Sequence, residues 1–150
     1  MAQYRLSASL EDYIEAIYNI IAEKQEARGK EIAALLSVSG ASVTEALRSL
    51  SKKGMINYAP YEAITLTDKG RKIAEDVVRR HNGLKQFFVE VLGIDLELAE
   101  QGACKVEHAA PRAIIDQMIN FIKFLESRPV ENKQILEDFF AFCRKKETGN

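Results

Sequence analysis

Cysteine is scarce in this chain, with only Cys104 and Cys143 among 150 residues. Two thiols build no disulfide framework, and Cys143 sits near a charged tail, so a reducing, cytoplasmic setting is expected. Histidine is equally rare, at positions 81 and 108 alone. No apolar run reaches the roughly 18 residues of a membrane span, so no membrane partner is expected. The opening MAQYRLSASLEDYIEAIY lacks the basic start and apolar core of a signal peptide. There is no glycine-rich phosphate loop, internal repeat or low-complexity segment. Cys104 and His108 could suggest a thiol and its base, but two residues four apart on one helix form no oriented triad. Neither an enzyme nor a small organic substrate is expected.

What is present points to a soluble, mostly helical chain: 47% of residues are hydrophobic and 29% charged. The three prolines, at 60, 111 and 129, fall where elements should break or begin. Ser9 is expected to cap a first helix with Asp12 as its capping-box partner, on an apolar stripe of Leu10, Tyr13, Ile14, Ile17, Ile20 and Ile21. A short helix over residues 30–36, a turn at 37–40 and a helix over 41–50 follow. Residues 55–58 and 63–66 then alternate about Pro60 and Tyr61 as a β-hairpin. Thr67 is expected to cap a long helix to about Leu92, stopped by Gly93. Further helices are expected over about 95–109, 111–127 and 130–146.

That order is a winged helix-turn-helix followed by an all-helical part. Net charge is −1, but residues 25–72 hold eight Lys/Arg against five Asp/Glu, and residues 81–150 hold nine against eleven. A mildly basic front half permits DNA binding. In the third helix, which opens with small polar residues, Ser39, Ser42 and Thr44 can reach bases or phosphates and Glu45 can accept from a cytosine amino group. Arg48 and Lys52 suit phosphates, as do Arg28 and Lys30 at the start of the second helix. Tyr61 at the hairpin tip can touch backbone or minor groove. The same helices and hairpin also describe a protein-binding module without DNA contact.

The stretch ACKVEHAA places Cys104, Glu107 and His108 at i, i+3 and i+4, on one helical face. Thiolate, carboxylate and imidazole are ligands for divalent transition metals. His81 lies on the apolar stripe of the long helix, and Asp12 and Glu15 stand i, i+3 on the first. Taken singly, these read as a cysteine beside a surface Glu–His pair, a core histidine and a solvated acidic face. Taken jointly, they form a cage whose burial without a cation would be costly. A redox-sensing winged-helix regulator using Cys104 is the rival reading.

The blocks SLEDYIEAIY (9–18), EIAALLSVSGASVTEALRSLSKKGMI (31–56), ITLTDKGRKIAEDVVRRH (64–81) and CKVEH (104–108) resemble the diphtheria-toxin-repressor family. These are metal-dependent transcriptional regulators that include iron-dependent repressors and the manganese transport regulator. The resemblance covers about residues 5–128. It implies a winged-helix DNA-binding domain (1–73) and a helical dimerisation and metal-binding domain (74–150), with residues 9–24 also contributing ligands. It implies a repressor acting as a homodimer on palindromic double-stranded DNA, in the short form without an SH3-like third domain. By position, Asp12, Glu15, His81, Cys104, Glu107 and His108 match the family's ligands. Asp12 is similar to the manganese-responsive members and Cys104 to the iron-responsive ones. Lys85 and Glu100 depart from the pattern of a second iron-type site, which has glutamate and histidine there. Fe²⁺ is the favoured corepressor, with Mn²⁺ second.

Overall fold

The computed structural model describes residues 5–149. The chain is mainly helical. Its elements are α1 (Ala8–Lys24), α2 (Gly29–Leu36), α3 (Gly40–Lys52), β1 (Ile56–Asn57), β2 (Thr65–Leu66), α4 (Asp68–Gln86), a π-helical turn (Phe87–Val91), α5 (Leu96–Ala109), α6 (Arg112–Glu126) and α7 (Pro129–Glu147). They form two compact units that divide between Arg79 and Arg80, within α4.

In the first unit α1, α2 and α3 pack as a helix-turn-helix, and the antiparallel pair β1–β2 is the wing, with Ile56 opposite Leu66. Its core is fully buried at Ile14, Ile17, Ile32, Leu50 and Met55. Each such side chain contributes about 1.5–3 kcal/mol of transfer free energy. The wing strands are two residues long rather than four, because β1 and β2 pair only at two registered positions. One isolated bridge, Ala27 to Ile64, extends the pairing. The cap of α1 is Ser7, whose hydroxyl accepts from Leu10 N at 3.3 Å. Ser9 therefore lies inside the helix, and Asp12 is not a capping-box partner.

Thr67 caps α4 as expected: its Oγ1 accepts from Gly70 N at 3.0 Å and donates to Gly54 O at 2.7 Å. Gly70 is required here because a Cβ at that position would lie 1.8 Å from Met55 O. The long helix stops being α-helical after Gln86. Phe87–Val91 widens into a π turn before Gly93, at φ +68°, ends it.

In the second unit Leu84, Ala103 and Ile115 are fully buried, with Phe88, Val106, Met118 and Ile119 packed around them. From the π turn, Phe88 lies over Gly102 of α5, and Phe87 faces Phe121 of α6 with ring centroids 6.3 Å apart. No described helix is long and apolar enough to cross a membrane.

Candidate metal centre and nucleic-acid interface

Helix α5 is indexed by Asp95, whose side chain accepts from Leu98 N at 3.0 Å. From that start, Ala99, Ala103 and Glu107 stand at i, i+4 and i+8 on the buried face. A carboxylate thus occupies a core position, only 1% exposed. His81 of α4 meets it: Nδ1 is 2.7 Å from Glu107 Oε2. Cys104 Sγ lies 3.8 Å from the same Nδ1. The other ring nitrogen, Nε2, is 2.7 Å from Glu100 Oε1, and Lys85 Nζ is 3.1 Å from Glu100 Oε2. His108 Nε2 sits 3.1 Å from Glu107 Oε1, near enough to attract it by charge. No described donor is aligned on that buried oxygen as a hydrogen bond. Arg80, itself buried, donates to the Glu107 backbone carbonyl.

Electrostatics follow from this geometry. The hydrogen bond to Glu107 raises the His81 pKa from 6.5 to about 9, against desolvation and with help from Glu100. Burial pushes Glu107 up, but the imidazoles of His108 and His81 outweigh it and hold the carboxyl below its usual range. Glu100 is also lowered: slight burial opposes the shift, while Lys85 and His81 drive it.

The residues fit a divalent cation. A buried carboxylate oxygen with no aligned donor is costly unless positive charge is placed on it. The imidazoles of His81 and His108 stand at the two oxygens of Glu107, the Cys104 thiol lies beside His81 Nδ1, and one donor atom each from His81, Glu100 and Cys104 lie within 4.8 Å of one another. Four of the six expected ligands, His81, Cys104, Glu107 and His108, are thus gathered in the second unit. Asp12 and Glu15 belong to α1 of the first unit, Asp12 exposed and Glu15 half-buried.

Sequence reasoning missed the parts played by Arg80 and Glu100. Arg80 carried a signal, since Val77, Arg80, His81 and Leu84 share the buried face of α4. Glu100 carried none beyond its departure from the family pattern.

The first unit places the expected DNA-facing residues on its surface. Ser39 caps α3: its Oγ accepts from Ser42 N at 3.2 Å and donates to Ser42 Oγ at 2.9 Å. The Ser42 proton stays available to an outside acceptor. Thr44 Oγ1 donates to Gly40 O at 3.0 Å, which leaves it an acceptor toward a ligand. Glu45, Arg48 and Lys52 are exposed along α3. Lys30 is exposed near the start of α2, where the Arg28 guanidinium pairs with Glu26 Oε1 at 2.9 Å. Tyr61 is fully exposed at the wing tip in a left-handed conformation, φ +66°. A cleft lined by Arg28, Lys30, Thr44, Tyr58 and Tyr61 runs between α2, α3 and the wing.

Fold and cluster together define a winged helix-turn-helix regulator with a metal-binding helical part. Residues 5–64 match the iron dependent repressor N-terminal DNA binding domain. Residues 67–141 match the iron dependent repressor metal binding and dimerisation domain. An uncharacterised HTH-type transcriptional regulator of Methanocaldococcus jannaschii is 39% identical over 119 residues, covering 79% of this chain and 95% of that protein. The HTH-type transcriptional regulator MntR of Lysinibacillus sphaericus is 38% identical over 121 residues, covering 81% and 86%. A solved manganese-dependent transcriptional repressor in complex with manganese superposes with a TM-score of 0.64 at 31% identity, over 75% of this chain. This chain spans 53% of that structure's length. The chain belongs to the iron-dependent repressor family, whose members are metal-dependent transcriptional regulators.

Proposed function

We propose that the chain represses transcription as a homodimer bound to a palindromic operator when a divalent cation is loaded. The observation that carries this reading is Glu107: a carboxylate at a core position, 1% exposed, with the His81 imidazole at one oxygen and the His108 imidazole at the other. His81, Cys104, Glu107 and His108 hold the cation, and Asp12 and Glu15 add carboxylates from α1. The cation supplies the charge that lets these anions share one site. Without it, Asp12 and Glu15 repel Glu107 and α1 is disfavoured at the site. With it, the two recognition helices of the dimer are held for major grooves one turn apart, about 34–36 Å. Ser39, Ser42, Thr44 and Glu45 face bases. Arg28, Lys30, Arg48, Lys52 and Tyr61 face the backbone.

The Cys104 thiolate and the imidazoles pull the site toward Fe²⁺, Co²⁺, Ni²⁺ or Zn²⁺ and the carboxylates admit Mn²⁺, so availability in the cell selects among them, with Fe²⁺ favoured and Mn²⁺ second. Cation and operator then tighten each other by one factor, about 5–150-fold for a coupling of about 1–3 kcal/mol.

The test is anaerobic binding to a palindromic duplex, selected from a random pool by the metal-loaded chain, across Mn²⁺, Fe²⁺, Co²⁺ and Zn²⁺. Binding should be stimulated by metal, reversed by chelator and abolished by Glu107→Ala. Cys104→Ala should weaken the Fe²⁺ and Zn²⁺ responses more than the Mn²⁺ response. Equal binding with and without ions, combined with a response to oxidant, would replace this reading by thiol sensing at Cys104.

A further inference from the structure

The His81 imidazole meets a carboxylate at each nitrogen, and the two carboxylates differ in kind. On the Nδ1 side stand Glu107 Oε2 at 2.7 Å and Cys104 Sγ at 3.8 Å. On the Nε2 side stands Glu100 Oε1 at 2.7 Å. The Glu107 side chain is 1% exposed and that of Glu100 48%. The second oxygen of Glu100 is held by Lys85 Nζ at 3.1 Å. Lys85 follows His81 by four residues on α4, so both side chains share a face and reach the same residue of α5. An ammonium has no lone pair to offer and repels a cation, so a carboxylate already neutralised by one is a poor metal ligand. A carboxylate aligned on the second nitrogen of a metal-binding histidine fixes the tautomer and the ring orientation.

We infer that Glu100, braced by Lys85, is the positioning residue of His81: it holds the Nε2 proton and keeps Nδ1 turned toward the space shared by Glu107 and Cys104. This rests on the metal-responsive reading above and adds a residue outside its six ligands. A Glu100 oxygen lies within 4.8 Å of donor atoms of His81 and Cys104, but its charge is taken up by Lys85, so Glu100 stays out of the coordination shell and the imidazole serves one ion through one nitrogen. Without Glu100 nothing anchors the Nε2 edge once the cation has displaced the Nδ1 proton, and binding must order the ring at its own cost.

The test measures Zn²⁺ affinity and stoichiometry for the full chain, Glu100→Ala, Glu100→Gln and Lys85→Met. Nitrogen-15 spectra of His81 in the Zn²⁺-loaded proteins report the tautomer. In the unaltered chain Nε2 should carry a slowly exchanging proton. Glu100→Ala should lose that slow exchange and bind Zn²⁺ about 10–100-fold more weakly at unchanged stoichiometry. Glu100→Gln, whose amide oxygen still accepts from Nε2, should recover most of the affinity, and Lys85→Met should fall between. Loss of a bound ion in Glu100→Ala would make Glu100 a ligand and overturn the inference. So would unchanged affinity, whether or not the melting temperature falls. An unaltered chain that binds no divalent ion would overturn the metal-responsive reading as well, whereas tight binding that ignores Glu100→Ala defeats this inference alone.

Discussion

Glu107 and His81 form a buried pair at 2.7 Å, each held by groups that stabilise its charged form. In the absence of metal that pair is the cluster's own charge balance, so a cation must displace the proton on Nδ1.

The pH dependence follows. His81 is raised from 6.5 to about 9 in the folded chain. Its contribution to metal-free stability is complete below about pH 6.5 and is lost as pH rises through 9. Glu107 is lowered from 4.5, so its contribution is present above that value and lost as pH falls below it. Urea unfolding of the chelated chain should be most resistant between these limits. Metal affinity should run the other way, rising with pH by at least about tenfold per unit up to the His81 pKa, because Cys104 and His108 must be deprotonated as well as His81. Calorimetry in buffers of different ionisation enthalpy should register the released protons.

Glu107→Gln keeps the shape and removes the charge. His81 should then titrate nearer 6.5, followed by nitrogen-15 shifts, and metal-stimulated operator binding should disappear. Metal-free stability should fall by about 1–3 kcal/mol at pH 6, and by less at pH 8, where His81 can shed its proton.

In the first unit, Gly70→Ala would drive a methyl group into Met55 O. Destabilisation of about 1–3 kcal/mol or more is expected, seen as a lower thermal midpoint.

Arg48→Ala and Lys52→Ala should each weaken operator binding regardless of sequence and reduce the salt slope by about one unit. Fluorescence anisotropy across a salt series measures both effects. Ser42→Ala should leave the slope unchanged and relax base preference instead.

The apolar surface of α6 supplies the dimer prediction. Ile114 and Phe121 are 54% and 43% exposed and line a shallow groove with Phe87 and Met118. Ile114→Glu or Phe121→Glu should yield a monomer by analytical ultracentrifugation and lose high-affinity operator binding.

Much of this architecture is legible in the sequence. The periodic stripes of α1, α3 and α4 follow from one-sided burial, and Thr67, Asp95 and Gly93 act at the element ends where their chemistry belongs. The misread cap at Ser9 has a local cause: Ser7 and Ser9 are equivalent in type, and only the hydroxyl–amide geometry separates them. The π turn was invisible because Phe87–Val91 is as apolar as an α-helix would be there. At the cluster, side-chain chemistry and spacing pointed to His81, Cys104, Glu107 and His108. They could not show that Glu100, exposed and paired with Lys85, also touches the imidazole, because that contact depends on how α4 and α5 pack.

The π turn has one further consequence. Two adjacent phenylalanines serve different neighbours, Phe88 the helix of the cluster and Phe87 the helix with the open aromatic face. Deleting a single residue between Phe87 and Val91 would relax the widened loop to ordinary helix and swing one ring by about 100°. Either contact is then regained only by sacrificing the other, so the packing of both rings fixes the chain length at this point.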